Sequence, residues 1–370
     1  MSMDMALLLS PHLPMRLLID DKIPFIHGQA ERLGTVRYMP GAAISRDDAM
    51  QADVLIVRTR TRCDAALLDG TPVRFIATAT IGYDHLDRDY LSRAGIGWAN
   101  CPGCNATSVA QYVATALLPL IDSGRLPARP TVGIVGVGHV GTAVALHLRQ
   151  MGFPLLLCDP PRRERARHGT PCAAPHTAIA DDACTATMEQ LAAEADVITF
   201  HVPLTDGGPH ATRHLADARF FAALQRRPVV INAARGEVAD NTAWVEALDR
   251  HLTGPAIVDT WENEPHILPA LLRRAYIATP HIAGYSADGK ARGTQMALEA
   301  VARHMGCAET FAIAPPALPD GFRYWQGTPE ADLLRHPALR RYDPRRDSEA
   351  LKACPEAFER LRGDYPLRRE

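Results

Sequence analysis

Short apolar runs recur along this chain, each bounded by polar or turn-forming residues, and between them apolar positions return at helical spacing. The runs 15–20, 53–58, 73–79 and 96–100 read as buried strands, and 131–135, 155–159, 195–200, 228–232, 256–259 and 276–279 continue the series. Helical patterns separate them, such as 64–68, 87–93, 107–123 and 290–305. Strands that are apolar on both faces and alternate with helices predict parallel sheets covered by helices on each side. The stretch from Pro160 to Thr187 is rich in Arg, Pro and Ala without a clear period, and reads as a surface loop.

The turn after the run at 131–135 is Gly-Val-Gly-His-Val-Gly, placing Gly136, Gly138 and Gly141 in G-x-G-x-x-G spacing between a strand and a helix. In that setting the first glycine makes the turn, the second lets a pyrophosphate approach, and the third lets helix and strand pack closely. The N-terminus of the helix that follows offers free N–H groups and a partial positive charge to the phosphates. Asp159 closes the next strand, about 20 residues on, where an acid accepts ribose hydroxyls; this predicts NAD rather than NADP, despite Arg162 and Arg163 close behind.

Composition narrows the class without changing it. At 370 residues, 47% hydrophobic and 22% charged, with a net charge of −2, the chain reads as a globular enzyme of two or three domains. The charge offers no general attraction for nucleic acid or membrane, so an anionic ligand must be held by local arginines. No run reaches the roughly 18 apolar residues of a membrane helix, and Asp4 stands where a signal peptide is basic, so a cytoplasmic location is expected. The eight cysteines are scattered. Cys101-Pro-Gly-Cys104 has metal-ligand spacing but no second pair to complete a site, so it reads as a turn and no metal is expected. His85 reads as a helix cap and His201 as lining of the cofactor region.

Three chemically capable side chains follow three successive strands: Arg235 in Asn-Ala-Ala-Arg-Gly, Glu264 in Trp-Glu-Asn-Glu-Pro, and His281 in Pro-His-Ile-Ala-Gly. The carboxyl ends of parallel strands are where open α/β sheets bind ligands. An arginine fork grips a carboxylate, and an imidazole, with an ordinary pKa of about 6.5, exchanges protons near neutrality. A carboxylate beside it orients the ring and stabilises its charged form. Together they predict oxidation of a 2-hydroxy acid, with the C2 hydrogen leaving as hydride.

The glycine fingerprint and these three motifs resemble the D-isomer-specific 2-hydroxyacid dehydrogenases. A narrower likeness within that family rests on Cys158-Asp-Pro-Pro-Arg162, Pro102-Gly-Cys-Asn-Ala106, His281-Ile-Ala-Gly-Tyr285 with Gly289-Lys-Ala-Arg-Gly293, and Tyr342-Asp-Pro-Arg-Arg-Asp347. The resemblance implies NAD-dependent oxidation of 4-phospho-D-erythronate to 2-oxo-3-hydroxy-4-phosphobutanoate, a step of pyridoxine (vitamin B6) biosynthesis, by a homodimer. It implies that Thr59, Thr80, Tyr285 and Arg235 touch substrate, and that Asp159, Val202, Asp259, Gly284 and the backbone at His139, Val140 and Ala233, Ala234, Arg235 contact NAD.

The expected architecture is α/β: two doubly wound parallel-sheet domains of Rossmann and flavodoxin-like type, with the active site in the cleft between them and a small C-terminal α+β dimerisation domain. Residues 1–14 read as an extension before a start at Met15, 15–115 with about 283–305 as the substrate domain, 116–282 as the NAD domain, and 306–370 as the dimerisation region. Arg345 and Arg346 in that region are candidates for reaching a neighbouring active site. The competing readings are a 3-phosphoglycerate or glyoxylate dehydrogenase, and a NAD-sensing protein without turnover, like the dehydrogenase-related corepressors.

Overall fold

The computed structural model describes residues 15–169, 178–317, 336–366 and 368–370. The extension 1–14 lies outside the described residues, as do parts of the loop expected at 160–187 and of the C-terminal region. The described chain divides into two compact units, one of residues 15–104 with 290–317 and the other of 105–289 with 336–370.

The first unit is a parallel sheet in the order β2-β1-β3-β4-β5, with β1 Arg16–Asp20, β2 Thr35–Met39, β3 Val54–Val57, β4 Phe75–Thr78 and β5 Gly97–Ala99. Leu17, Ile19, Val54, Ile56 and Phe75 meet Leu298 and Val301 of the helix Ala287–His304 on one face. The alternating residues Leu18, Leu55, Val57 and Ile76 meet Leu67, Leu68 and Leu91 on the other. Period-two alternation thus gives this sheet two buried faces. The edge strand β2 was not expected, because its residues are only partly buried and form no apolar run.

The second unit is a parallel sheet in the order β11-β10-β9-β8-β6-β7. Its strands are β6 Val132–Val135, β7 Leu155–Cys158, β8 Val197–Phe200, β9 Val229–Asn232, β10 Ala256–Val258 and β11 Ile277–Ala278. Ile134, Val197, Ile231 and Ile257 pack against Tyr112, Val113 and Leu117 of the helix Ala106–Asp122 and Val144 and Leu148 of His139–Gln150. Val135, Ile198, Val230 and Val258 pack on the other side against Phe221, Trp244 and Trp261.

Two sequence expectations need correction. Part of the stretch expected to be loop is a helix, Pro160–His168, started by the Asp159 side chain accepting from the Arg162 N–H, with Pro160 at its first position. Its faces are polar all round, so no hydrophobic period announced it. His85 caps no helix: its ring is buried with Nε2 3.0 Å from Thr78 Oγ1, and Asp87 caps the helix Arg88–Ala94 instead.

The C-terminal residues form the helices Pro337–Arg341, Pro344–Ala353 and Phe358–Gly363. Leu351 and Phe358 join the core around Trp261, and Tyr342 joins the core around Tyr112. The Ala278 N–H donates to Ser348 Oγ at 2.9 Å, so these helices extend the β11 side of the second sheet.

Candidate active site

The glycine-rich turn behaves as its spacing requires. Gly136 has φ +85°, and a Cβ on it would meet Val202 Cγ1 at 2.7 Å and His201 O at 2.8 Å. A Cβ on Gly141 would stand 1.9 Å from Gly136 O, whereas one on Gly138 would meet nothing within 4 Å. The middle glycine therefore fronts open space at the start of the helix His139–Gln150, a cradle suited to a pyrophosphate. Asp159 holds this turn from β7: Oδ2 accepts from the Val137 N–H at 2.8 Å and Oδ1 from the Arg162 N–H at 3.0 Å. Arg162 is itself buried, its guanidinium donating to Asp181 at 2.6 Å and to the carbonyls of Val137 and Ile179. Its fork is thus engaged inside the protein. His201, beside the turn, bonds through Nε2 to Thr199 Oγ1 at 2.9 Å, and burial pushes its pKa down to about 3. A ring held neutral in this way lines the site without acting as an acid or base near pH 7.

The three chemically capable residues leave β9, β10 and β11, which are neighbours in the sheet. After β9, buried Asn232 shapes the loop, donating to the carbonyl of Arg235 at 2.9 Å and accepting from the Ala234 N–H at 3.2 Å. Arg235 is half-buried, with one guanidinium nitrogen on Ala234 O at 2.8 Å. Glu264 lies past β10, with Oε1 accepting from the Trp261 N–H at 2.9 Å. His281 lies past β11, and its Nδ1 is 2.8 Å from Glu264 Oε2 and 3.1 Å from Oε1. The side chains of His281 and Glu264 remain 27% and 17% exposed. Nε2 is thus the ring nitrogen that Glu264 does not engage. Burial pushes the Glu264 carboxyl up, but His281, the Trp261 N–H and Arg362 together outweigh it and the net shift is downward. Glu264 is therefore the charged partner that an imidazolium needs.

Asp259 is turned into the protein. It is 1% exposed, and accepts from Thr279 Oγ1 at 2.6 Å, the Ile282 N–H at 2.8 Å and the Ala283 N–H at 3.0 Å. Burial raises its pKa, opposed by His281 and these donors. The Tyr112 hydroxyl stands 2.8 Å from Thr279 Oγ1, so the His281 loop is braced from the helix Ala106–Asp122. Gly284 ends that loop, where a Cβ would come within 2.1 Å of Asn105 Nδ2.

Two residues that the sequence offered no reason to single out lie in the C-terminal segment. Arg368, 1% exposed, donates to the carbonyls of Ile282 at 3.1 Å, Ala283 at 2.6 Å and Ser108 at 3.3 Å, to Gln111 Oε1 at 2.9 Å, and sits 3.9 Å over the Tyr342 ring. Arg362 places a guanidinium nitrogen 3.7 Å from Glu264 Oε2. Beside Arg368, Asp347 accepts from the Tyr365 hydroxyl at 3.0 Å, and burial pushes its carboxyl up to about 6. Arg345 is held by its neighbour Asp343, with contacts of 2.7–3.2 Å. Among the described residues no cluster of His, Cys, Asp and Glu has the form of a metal site, and no helix is long and apolar enough to cross a membrane.

An erythronate-4-phosphate dehydrogenase of Bacteroides thetaiotaomicron is 46% identical over 360 residues, 96% of this chain and 97% of that protein. The chain belongs to the erythronate-4-phosphate dehydrogenases. A further relative of that name, from Serratia proteamaculans, is 40% identical over 96% of this chain and 93% of that protein. Residues 120–283 match the D-isomer specific 2-hydroxyacid dehydrogenase NAD binding domain. The crystal structure of D-lactate dehydrogenase from Aquifex aeolicus complexed with NAD and lactic acid shares the fold, with TM-score 0.62 and 22% identity over 79% of this chain and 96% of that one. The chain is accordingly an NAD-dependent dehydrogenase of the 2-hydroxyacid type, and the turn at Gly136–Gly141 with Asp159 fits that cofactor.

Proposed function

We propose that this enzyme oxidises 4-phospho-D-erythronate to 2-oxo-3-hydroxy-4-phosphobutanoate in pyridoxine biosynthesis. The observation that carries the reading is the His281–Glu264 pair, past β11 and β10, beside the β9 strand that Arg235 follows, in a chain 46% identical over 96% of its length to an erythronate-4-phosphate dehydrogenase. Bound NAD supplies the hydride acceptor. Arg235 grips the substrate carboxylate with paired hydrogen bonds and aligns C2. His281 Nε2 takes the proton of the C2 hydroxyl as the C2 hydrogen departs with its electron pair, leaving a ketone. The imidazolium so formed is balanced by Glu264 through Nδ1.

Further roles are supported by the resemblance. The backbone at His139–Gly141 and Ala233–Ala234, with Val202, Asp159, Asp259 and Gly284, contacts the cofactor, Asp259 acting by shaping the loop rather than by offering an exposed carboxylate. Thr59 and Thr80, which follow β3 and β4, contact substrate together with Tyr285. The enzyme works in the cytoplasm as a homodimer joined through its C-terminal region, and sedimentation at a dimer mass tests that association.

The deciding experiment is NADH formation with 4-phospho-D-erythronate, 3-phosphoglycerate and unphosphorylated erythronate, in the wild type and in His281→Ala. Turnover strongest on the first substrate and abolished by the substitution is expected. Preference for 3-phosphoglycerate overturns the substrate, and NAD binding without turnover on any of the three overturns the enzymatic reading.

A further inference from the structure

Arg362 has an unusual balance of donors and acceptors. A guanidinium carries five N–H donors and no acceptor, and leaving such donors unmatched away from water is costly. The side chain is only 21% exposed, and its Nε is buried with no hydrogen-bond partner among the described residues. The carboxylate nearest to it, Glu264, stands 3.7 Å away, beyond hydrogen-bond reach. The same oxygen is already 2.8 Å from His281 Nδ1. What remains is the Tyr285 hydroxyl and the more distant charge of Glu359, one turn back on the same helix. A cation is thus held beside the reacting pair with its fork only partly used.

The substrate under the reading above carries two anionic ends. Arg235 accounts for the carboxylate at C1, and the protein's net charge of −2 provides no diffuse attraction for the other. Arg345, one of the two arginines, with Arg346, that the sequence offered for reaching a neighbouring active site, is bound to Asp343. Arg362 adjoins Tyr285, and a planar guanidinium is the side chain best matched to phosphate oxygens. We propose that Arg362, with Tyr285, binds the phosphate of the substrate and sets the preference for a phosphorylated over a plain hydroxy acid.

The inference rests on the proposed function, and its test separates the two. Steady-state kcat/KM is measured for 4-phospho-D-erythronate and for unphosphorylated erythronate in wild type, Arg362→Gln and Arg362→Lys. The ratio of the two values should fall by roughly ten- to a hundredfold in Arg362→Gln, with partial retention in Arg362→Lys. An equal loss on both substrates, leaving the ratio unmoved, overturns the proposal and makes Arg362 a support for Glu264 alone. Wild-type enzyme inactive on the phosphorylated acid instead overturns the proposed function. A second measurement uses inorganic phosphate as the probe: it should inhibit the wild type competitively against the hydroxy acid and at least tenfold more weakly in Arg362→Gln. Equal inhibition of both also overturns the assignment.

Discussion

Replacing Arg368 by methionine isolates what its guanidinium does, because the apolar stem is retained while every donor is removed. In the wild type the carbonyls of Ile282 and Ala283 accept from it at 3.1 and 2.6 Å, deep in the second unit. A buried acceptor stripped of its partner costs about 1–3 kcal/mol, so these two carbonyls account for about 2–6 kcal/mol. The longer contact to Ser108 O and the stacking on Tyr342 add to this, while rotation of the Gln111 amide and entry of water subtract. A net loss of about 4 kcal/mol is expected, the middle of that range. Against a total of about 5–15 kcal/mol this is large. Urea unfolding followed by tryptophan fluorescence reads it, since Trp244 and Trp261 are both buried in the second unit. The same variant should lose kcat, because the loop it releases carries His281. A loss below about 1 kcal/mol would refute the reasoning, showing that water or backbone relaxation satisfies those carbonyls.

Three further outcomes are expected. Glu264→Gln keeps the shape of the dyad but not its charge, and should lower kcat by about a hundredfold or more with little change in KM; an unaltered kcat removes Glu264 from the mechanism. Gly138→Ala should fold normally yet raise the KM for NAD, whereas Gly141→Ala, facing Gly136 O at 1.9 Å, should destabilise the second unit; equal melting temperatures for the two variants contradict this. Asp347, pushed up to about 6, favours the fold when protonated: its contribution is complete below about pH 4 and is lost as pH rises through 6. Asp347→Asn should therefore gain stability relative to wild type between about pH 4 and 7, by up to about 3 kcal/mol, and a gap independent of pH would count against burial as the cause.

Much of this molecule was legible because its strands are buried on both faces and so appear as unbroken apolar runs. The same property hid β2, whose edge position leaves Thr35 and Arg37 exposed and breaks the pattern. The placement of Arg235, Glu264 and His281 was legible because each follows an apolar strand run, and the sheet order makes those strands neighbours. Arg362 and Arg368 carried no such signal. Their roles come from how a charge-dense segment folds back onto the second sheet, and nothing local in Arg-Leu-Arg-Gly or Leu-Arg-Arg-Glu distinguishes a buried arginine from a solvated one. Asp159 was expected as a ribose acceptor; its grip on the Val137 N–H, by contrast, depends on a contact 22 residues apart in the chain.

That grip has a consequence for anyone who would convert the enzyme to NADP. The obvious route replaces the acid at 159 with a small neutral residue, making room for the extra phosphate and recruiting a nearby arginine. Here the acid is also a rivet: removing it frees the turn at Val137 and uncaps the helix Pro160–His168 in one stroke. The arginine most conveniently placed, Arg162, is already committed to Asp181 and two carbonyls. Cofactor choice in this chain is thus tied to the integrity of the loop that would have to be redesigned. A successful exchange has to rebuild that support before, or together with, the change in specificity.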